Sequence, residues 1–296
     1  MTLQELGEDR LVEKLTRGLH RSHIVIAGPG DDCAVLRATD SSNLLLLKTD
    51  CIVEAVHFDR EARTGAVGWK AMARPLSDFA AMSGVPEFAL VTLIAPGKTP
   101  QRWVTGLYRG LQKAADMFSV VIVGGETSST AGPAIVSVSV SGWAEPNRWL
   151  SRTGGKSGDE IFVTGRLGGS RAGHHLRFVP RIAESRWLTA HFNVHAMIDL
   201  SDGLGADLPR LARASGLDYE LEETAVPRNR ACSIEQAISD GEDYELLFAI
   251  APGESERLQQ RWRRQFPKLP LTRIGRLISN PKTAKRRLRG GYVHFT

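Results

Sequence analysis

The sequence predicts a two-domain protein of mixed α/β and α+β architecture. Apolar runs without helical periodicity alternate with helix-spaced apolar stripes along the whole chain. A length of 296 residues exceeds one ordinary core. Between residues 142 and 158 the pattern loosens into Pro, Gly, Ser and Arg, which divides the chain into residues 1–146 and 147–296.

Leu11, Val12, Leu15 and Leu19 form a helical stripe. Gly28-Pro29-Gly30 is a turn, followed by Asp31-Asp32 and a short strand from Cys33 to Leu36. It lacks the third glycine of a dinucleotide-binding loop. The adjacent aspartates fit either a plain turn or a metal site. Leu44 to Leu47 is predicted as a buried strand that ends at Thr49-Asp50. Residues 65–84 read as a helix interrupted at Pro75, which offers no N–H to the Ala71 carbonyl. Asp78 follows among Leu76, Phe79, Ala80 and Met82, where an acid is costly unless it is paired or bound to a metal.

Phe88 to Ala95 is a strand, and residues 100–118 are a helix with Trp103, Leu107, Leu111 and Ala115 inward. Val120 to Val123 reads as a buried strand leading to Gly124-Gly125-Glu126. Val136, Val138 and Val140 alternate with serines, as in a strand with one buried face. Gly154-Gly155-Lys156-Ser157 imitates a phosphate-binding loop but has Leu150 where the pattern requires glycine. The second half runs through strand 161–164, helices within 169–190, a strand into Asp199-Leu200-Ser201-Asp202 and a helix to Gly216. Ser201 or Asp202 could cap that helix, yet capping explains only one of the two acids. Gly241-Glu242-Asp243 leads into another strand. Helix 254–265, strand 271–277 and a tail through Tyr292 and His294-Phe295 complete the chain.

Composition narrows the function. The 42% hydrophobic and 24% charged content is that of an ordinary globular protein, with no apolar run of membrane-spanning length, and Met1 to Leu6 do not resemble a signal peptide, lacking a basic start and an apolar centre. Cys33, Cys51 and Cys232 are three in number, have no metal-ligand spacing, and read as reduced thiols in the cytoplasm. The net charge of +5 is densest at Lys282, Lys285, Arg286, Arg287 and Arg289, a solvated surface without the aromatic residues of a nucleic-acid site.

The acids Asp31, Asp32, Asp50, Asp78, Glu126, Asp199 and Asp202 sit next to turns or strand ends. They cannot converge without cations, because neighbouring like charges repel. Mg2+ suits an all-oxygen set shared with phosphates, whereas zinc would need cysteine and histidine. Glycoside hydrolysis needs only two carboxylates, and this chain has seven candidates.

Gly30-Asp31-Asp32-Cys33-Ala34, Thr49-Asp50 with Glu54 and His57-Phe58, Leu76-Ser77-Asp78, Gly124-Gly125, Ser151-Arg152-Thr153-Gly154, Asp199-Leu200-Ser201-Asp202-Gly203 and Gly241-Glu242-Asp243-Tyr244-Glu245 occur in order. In these the chain resembles the thiamine-monophosphate kinase family, in the superfamily that includes aminoimidazole ribonucleotide synthetase. The resemblance implies an N-terminal mixed-sheet domain that forms a dimer through its sheet or barrel, and a C-terminal α+β domain. Asp32, Thr49, Asp50, Asp78, Glu126, Asp199 and Asp202 would bind several Mg2+ ions. Tyr108, Gly125, Glu126, Arg152 and Ser201 would hold ATP, and His57, Glu242 and Tyr292 would face thiamine monophosphate. Lys48 stands where a metal-binding serine is common, so an ammonium group would replace one Mg2+; Glu126 replaces an aspartate and Pro75 an asparagine.

The implied reaction is in-line transfer of the γ-phosphoryl group of ATP onto a phosphate. The acceptor is already largely dianionic at neutral pH, so Asp50, Arg152 and Asp202 would act electrostatically and not as proton carriers. Two alternatives stand beside this: another ATP-dependent synthetase or kinase of the superfamily, and a non-catalytic nucleotide- or thiamine-diphosphate-binding protein. His57 could also be a packed strand residue, and Tyr292 part of a closing edge strand.

Overall fold

The computed structural model describes residues 2–19, 22–39, 41–279, 288 and 290–292. The basic run at 282–289, apart from Leu288, and the His294-Phe295 end lie outside them. Two sheets organise the chain. The first is six-stranded, in the order β1-β2-β3-β6-β4-β5: β1 Val25–Ala27, β2 Ala34–Arg37, β3 Leu44–Val53, β4 Val85–Ala95, β5 Val121–Ser129 and β6 Ile135–Ala144. All its pairs are antiparallel except β4 with β5, which makes the sheet mixed. The second is antiparallel, in the order β8-β10-β7-β11-β9: β7 Glu160–Thr164, β8 Val194–Asp199, β9 Asp218–Leu221, β10 Leu246–Ile250 and β11 Leu271–Ile278.

Two short helices, α1 Leu3–Leu6 and α2 Glu8–Thr16, precede the first sheet. The predicted stripe forms on α2 only as far as Leu15, since Leu19 lies past the end of the helix, and it stays outside the core: Val12, Leu15 and Leu19 are exposed. Helices α3 Thr64–Ala81 and α4 Gln101–Met117 pack together on the first sheet, where Met72, Leu76 and Phe79 meet Leu46, Val91 and Val138. In the second half, α6 Leu204–Ala214 and α7 Ile234–Ser239 cover one side of the sheet, and α5 Ile182–His191 and α8 Ser255–Gln265 the other. Strand β10, Leu-Leu-Phe-Ala-Ile, is buried at every residue because both its faces are covered.

Several expectations needed correction. Strand β3 does not stop at Thr49-Asp50. It pairs with β6 through Val53, so these residues sit mid-strand, and Leu47 is 41% exposed while Leu44 and Leu46 are buried. Helix α3 runs through Pro75 unbroken. Met72, Leu76 and Phe79 are fully buried around it, and this packing offsets a proline cost of about 3 kcal/mol. Strand β5 is an edge strand rather than a buried one: Val121 and Val123 are both 56% exposed. The segment 169–190 holds two single 3-10 turns and only one α-helix, α5. The alternation in β6 is as predicted, with Val136, Val138 and Val140 buried.

Candidate active site

Three carboxylates from distant parts of the chain meet where the two sheets adjoin. Asp32 comes from the turn before β2, Asp78 from the last turn of α3 and Asp199 from the end of β8. All three are buried, and each places an oxygen within 4.8 Å of the others. Burial raises the Asp78 carboxyl well above the usual carboxylate range, with Lys48 opposing the shift. Asp199 is raised first by burial and then by Asp32, while a hydrogen bond from Ser77 Oγ at 2.6 Å opposes it.

Cations partly answer these charges. Lys48 Nζ lies 2.7 Å from Asp78 Oδ1, and Arg152 Nη2 donates to Asp32 Oδ1 at 2.5 Å. Burial alone would lower the Lys48 ammonium, but Asp78 and Asp50 together raise it. Asp32 Oδ2 is buried and accepts no hydrogen bond from the described residues. An orphaned anionic oxygen among three buried carboxylates fits a hard divalent cation with oxygen ligands.

The cluster borders a cavity of about 1180 Å³, whose lining includes Asp50, Arg152, Ser201, Asp202, His57 and Tyr292. Ordinary small-molecule sites run to roughly 1,000 Å³, so two substrates can share this volume. Arg74 reaches Asp50 at 3.4 Å, and Arg210 is paired with Asp202 and, at 3.0 Å, with Asp207. Helix α6 is capped by Gly203 without a side-chain bond, so neither Ser201 nor Asp202 is spent as a cap. Glu242 lines an adjoining pocket with His57 and Tyr292. Its backbone N–H donates to the Ser201 carbonyl at 2.7 Å, while Tyr292 N–H donates to the Asp202 carbonyl at 2.8 Å. Lys70 Nζ, with a side chain 0% exposed, lies 2.5 Å from Glu242 Oε1; burial pushes its pKa down to about 8 against the pull of Glu242.

Thr49 and Glu126 do not join the cluster. Strand residues alternate faces, so Lys48 and Asp50 turn toward α3 while Thr49 turns to the open side, where Ser139 Oγ donates to it at 3.0 Å. Glu126 pairs with Thr92, which pairs with Ser137, next on β6 to Ser139 on the same open face. Strand β5 is also three places from β3, about 14 Å at ~4.8 Å per strand. Tyr108, Gly125 and Glu126 line a separate depression of about 560 Å³. Gly125 is required there, since a Cβ would fall 1.8 Å from the Val91 carbonyl oxygen.

The residue reading missed Lys70 and Arg74 as site groups. With Asp78 they follow an i, i+4, i+8 line on a helix whose neighbours are apolar, a polar stripe visible in the sequence.

Residues 30–144 match the N-terminal domain of AIR synthase related protein, and residues 147–285 its C-terminal domain. The thiamine-monophosphate kinase of Rhodopirellula baltica is 39% identical over 280 residues, 88% of this chain and 86% of that protein. That of Aquifex aeolicus is 33% identical over 307 residues, 94% of this chain and 93% of that protein. The solved structure of AaThiL complexed with AMPPCP and TMP superposes with a TM-score of 0.86 at 32% identity, covering 100% of this chain and 99% of that one. The domain order, the similarity along nearly the whole chain and the shared fold place this chain in the thiamine-monophosphate kinase family of AIR synthase related proteins.

Proposed function

We propose that this chain transfers the γ-phosphoryl group of ATP to thiamine monophosphate, giving thiamine diphosphate and ADP in the cytoplasm. The observation that carries this reading is the buried Asp32, Asp78 and Asp199 cluster, with its orphaned oxygen, beside a cavity large enough for both substrates. Asp32, Asp78 and Asp199, with Asp50 and Asp202 nearby, would hold Mg2+. Bound there, Mg2+ supplies the positive charge that lets two phosphate-bearing anions approach. Arg152 adds fixed positive charge at the same wall, and Ser201 offers a hydroxyl. No side chain is assigned as general base, since the acceptor phosphate is already largely dianionic. His57, Glu242 and Tyr292 surround the thiamine end.

Product analysis tests this reading. The purified chain with ATP, thiamine monophosphate and Mg2+ yields thiamine diphosphate, and excess chelator stops it. ADP without thiamine diphosphate, or product formation indifferent to chelator, overturns it. Aminoimidazole precursors assayed in parallel distinguish the synthetase reading, and ATP binding without turnover marks the non-catalytic one.

The reading includes a homodimer. The open face of the first sheet carries Leu47, Phe88, Leu90, Val121 and Val123, exposed by 41, 46, 49, 56 and 56%. A second copy laid on that face would cover this apolar surface and bring new neighbours to Thr49, Gly125 and Glu126. Phe88→Asp with Leu90→Asp is therefore expected to convert a dimer to a monomer in sedimentation without changing the circular dichroism. A variant that remains dimeric rules this face out. The reading involves neither nucleic acid nor membrane. Among the described residues no helix is long and apolar enough to cross a membrane.

A further inference from the structure

Lys70 is the only wholly buried lysine among the described residues. Taking an ammonium group out of water costs several kcal/mol unless oxygen atoms replace the solvent. The two oxygens that do so belong to opposite halves of the chain. Lys70 Nζ donates to the His57 carbonyl at 2.6 Å, in the turn after β3, and lies 2.5 Å from Glu242 Oε1, in the loop before β10. Glu242 Oε1 accepts no aligned hydrogen bond from the described residues, and among them the ion pair with Lys70 is what holds it.

Both loops contain non-glycine residues in the left-handed region: Ala55 at φ 66° in the first, Glu242 at φ 67° and Tyr244 at φ 52° in the second. Such conformations persist only where surrounding contacts impose them. His57 is oriented as well, because its Nδ1 accepts the Val53 N–H at 3.0 Å, which leaves the proton of the neutral ring on Nε2. The His57 and Glu242 side chains line one pocket with Arg74, Arg171 and Tyr292, so a single ammonium group sets the spacing of an imidazole donor and a carboxylate acceptor.

We infer that Lys70 is a positioning residue that locks Glu242 and His57 into one recognition unit for an amino-substituted heteroaromatic cation, without touching the reacting phosphates. The inference rests on the kinase reading, since the thiamine part of the substrate is such a cation. An unpositioned Glu242 would swing toward Arg74 or Arg171 and lose its aim.

The test is steady-state kinetics on Lys70→Met, which keeps the unbranched stem of the side chain and removes the charged nitrogen. The KM for thiamine monophosphate is expected to rise at least about tenfold, with kcat and the KM for ATP within about threefold. Glu242→Gln, which leaves the bond from Lys70 to His57 in place, is expected to raise the same KM. The double variant should be no worse than the more affected single one, because both changes cut one connection. If Lys70→Met does not fold, Lys70→Gln, which is polar but carries no charge, carries the same expectation. An unchanged KM for thiamine monophosphate, equal losses for both substrates, a fall in kcat alone, or additive single effects would overturn the inference. Lack of turnover in the unaltered chain overturns the kinase reading instead.

Discussion

Asp199→Asn is expected to lower thiamine diphosphate formation by about 10³-fold or more while leaving the metal-free protein as stable as before, or more so. The two effects have opposite signs for one reason. Asp199 is buried beside Asp32 and Asp78, and burial followed by repulsion from Asp32 raises its pKa. In the metal-free protein its charge therefore opposes folding, and an amide of the same shape removes that opposition. Ser77 Oγ can still donate to the remaining side-chain oxygen. In the proposed complex with ATP and Mg2+ the same charge would hold the cation, and losing one carboxylate ligand would cost several kcal/mol of transition-state stabilisation, on the order of 10³-fold in rate. Turnover should be measured beside thermal unfolding with and without Mg2+ and ATP. The unaltered chain is expected to show an upward shift of Tm with both added, and the variant to lose it. Turnover within about tenfold of the unaltered chain, or an unaltered Tm shift, would remove Asp199 from the metal site.

Gly110→Ala is expected to destabilise the protein by about 3 kcal/mol or more, although helix propensity alone favours alanine by ~1 kcal/mol. Gly110 lies inside α4, where α4 crosses α3 backbone to backbone. A Cβ at Gly110 would sit 1.9 Å from the Gly65 carbonyl oxygen, and one at Gly68 would sit 1.9 Å from that of Leu107. No rotamer relieves such an overlap, so the helices must separate and open the core around Met72, Leu107 and Leu111, all fully buried. Helix α3 also carries Lys70, Arg74, Ser77 and Asp78, so the displacement reaches the site. Denaturant unfolding measures the loss. Gly97→Ala is the control, because nothing lies within 4 Å of its Cβ position and its φ is not positive. If Gly110→Ala were as stable as this control, the close helix contact would be wrong.

The particular residues show where sequence reading stopped. Asp78 was legible because an acid among apolar neighbours has few explanations besides a partner charge, whereas Asp32 and Asp199, beside turns or strand ends, became candidates only when counted with the other acids. The β6 strand was legible because period-2 alternation is a local property. The resemblance implies Thr49 as a metal ligand beside Asp50, yet strand alternation and pairing with β6 turn the two to opposite faces. Glu126 looked like another strand-end acid until β4 took β5 to the far edge of the sheet. Strand β1, strand β9 and helix α7 are short, and so weak, signals that become secondary structure only against their neighbours.

Composition, periodicity and motif order thus specified a mixed α/β chain in two parts, several of its strands and helices, and an acidic phosphate-handling chemistry. All of these follow from local spacing and from the cost of charge in an apolar setting. Tertiary structure alone decided which acids meet, that Lys48 answers Asp78, that Lys70 joins His57 to Glu242, and that Pro75 stays inside a continuous helix. Those outcomes depend on which strand lies beside which and on how closely two helix backbones approach, quantities set by contacts between residues far apart in the chain.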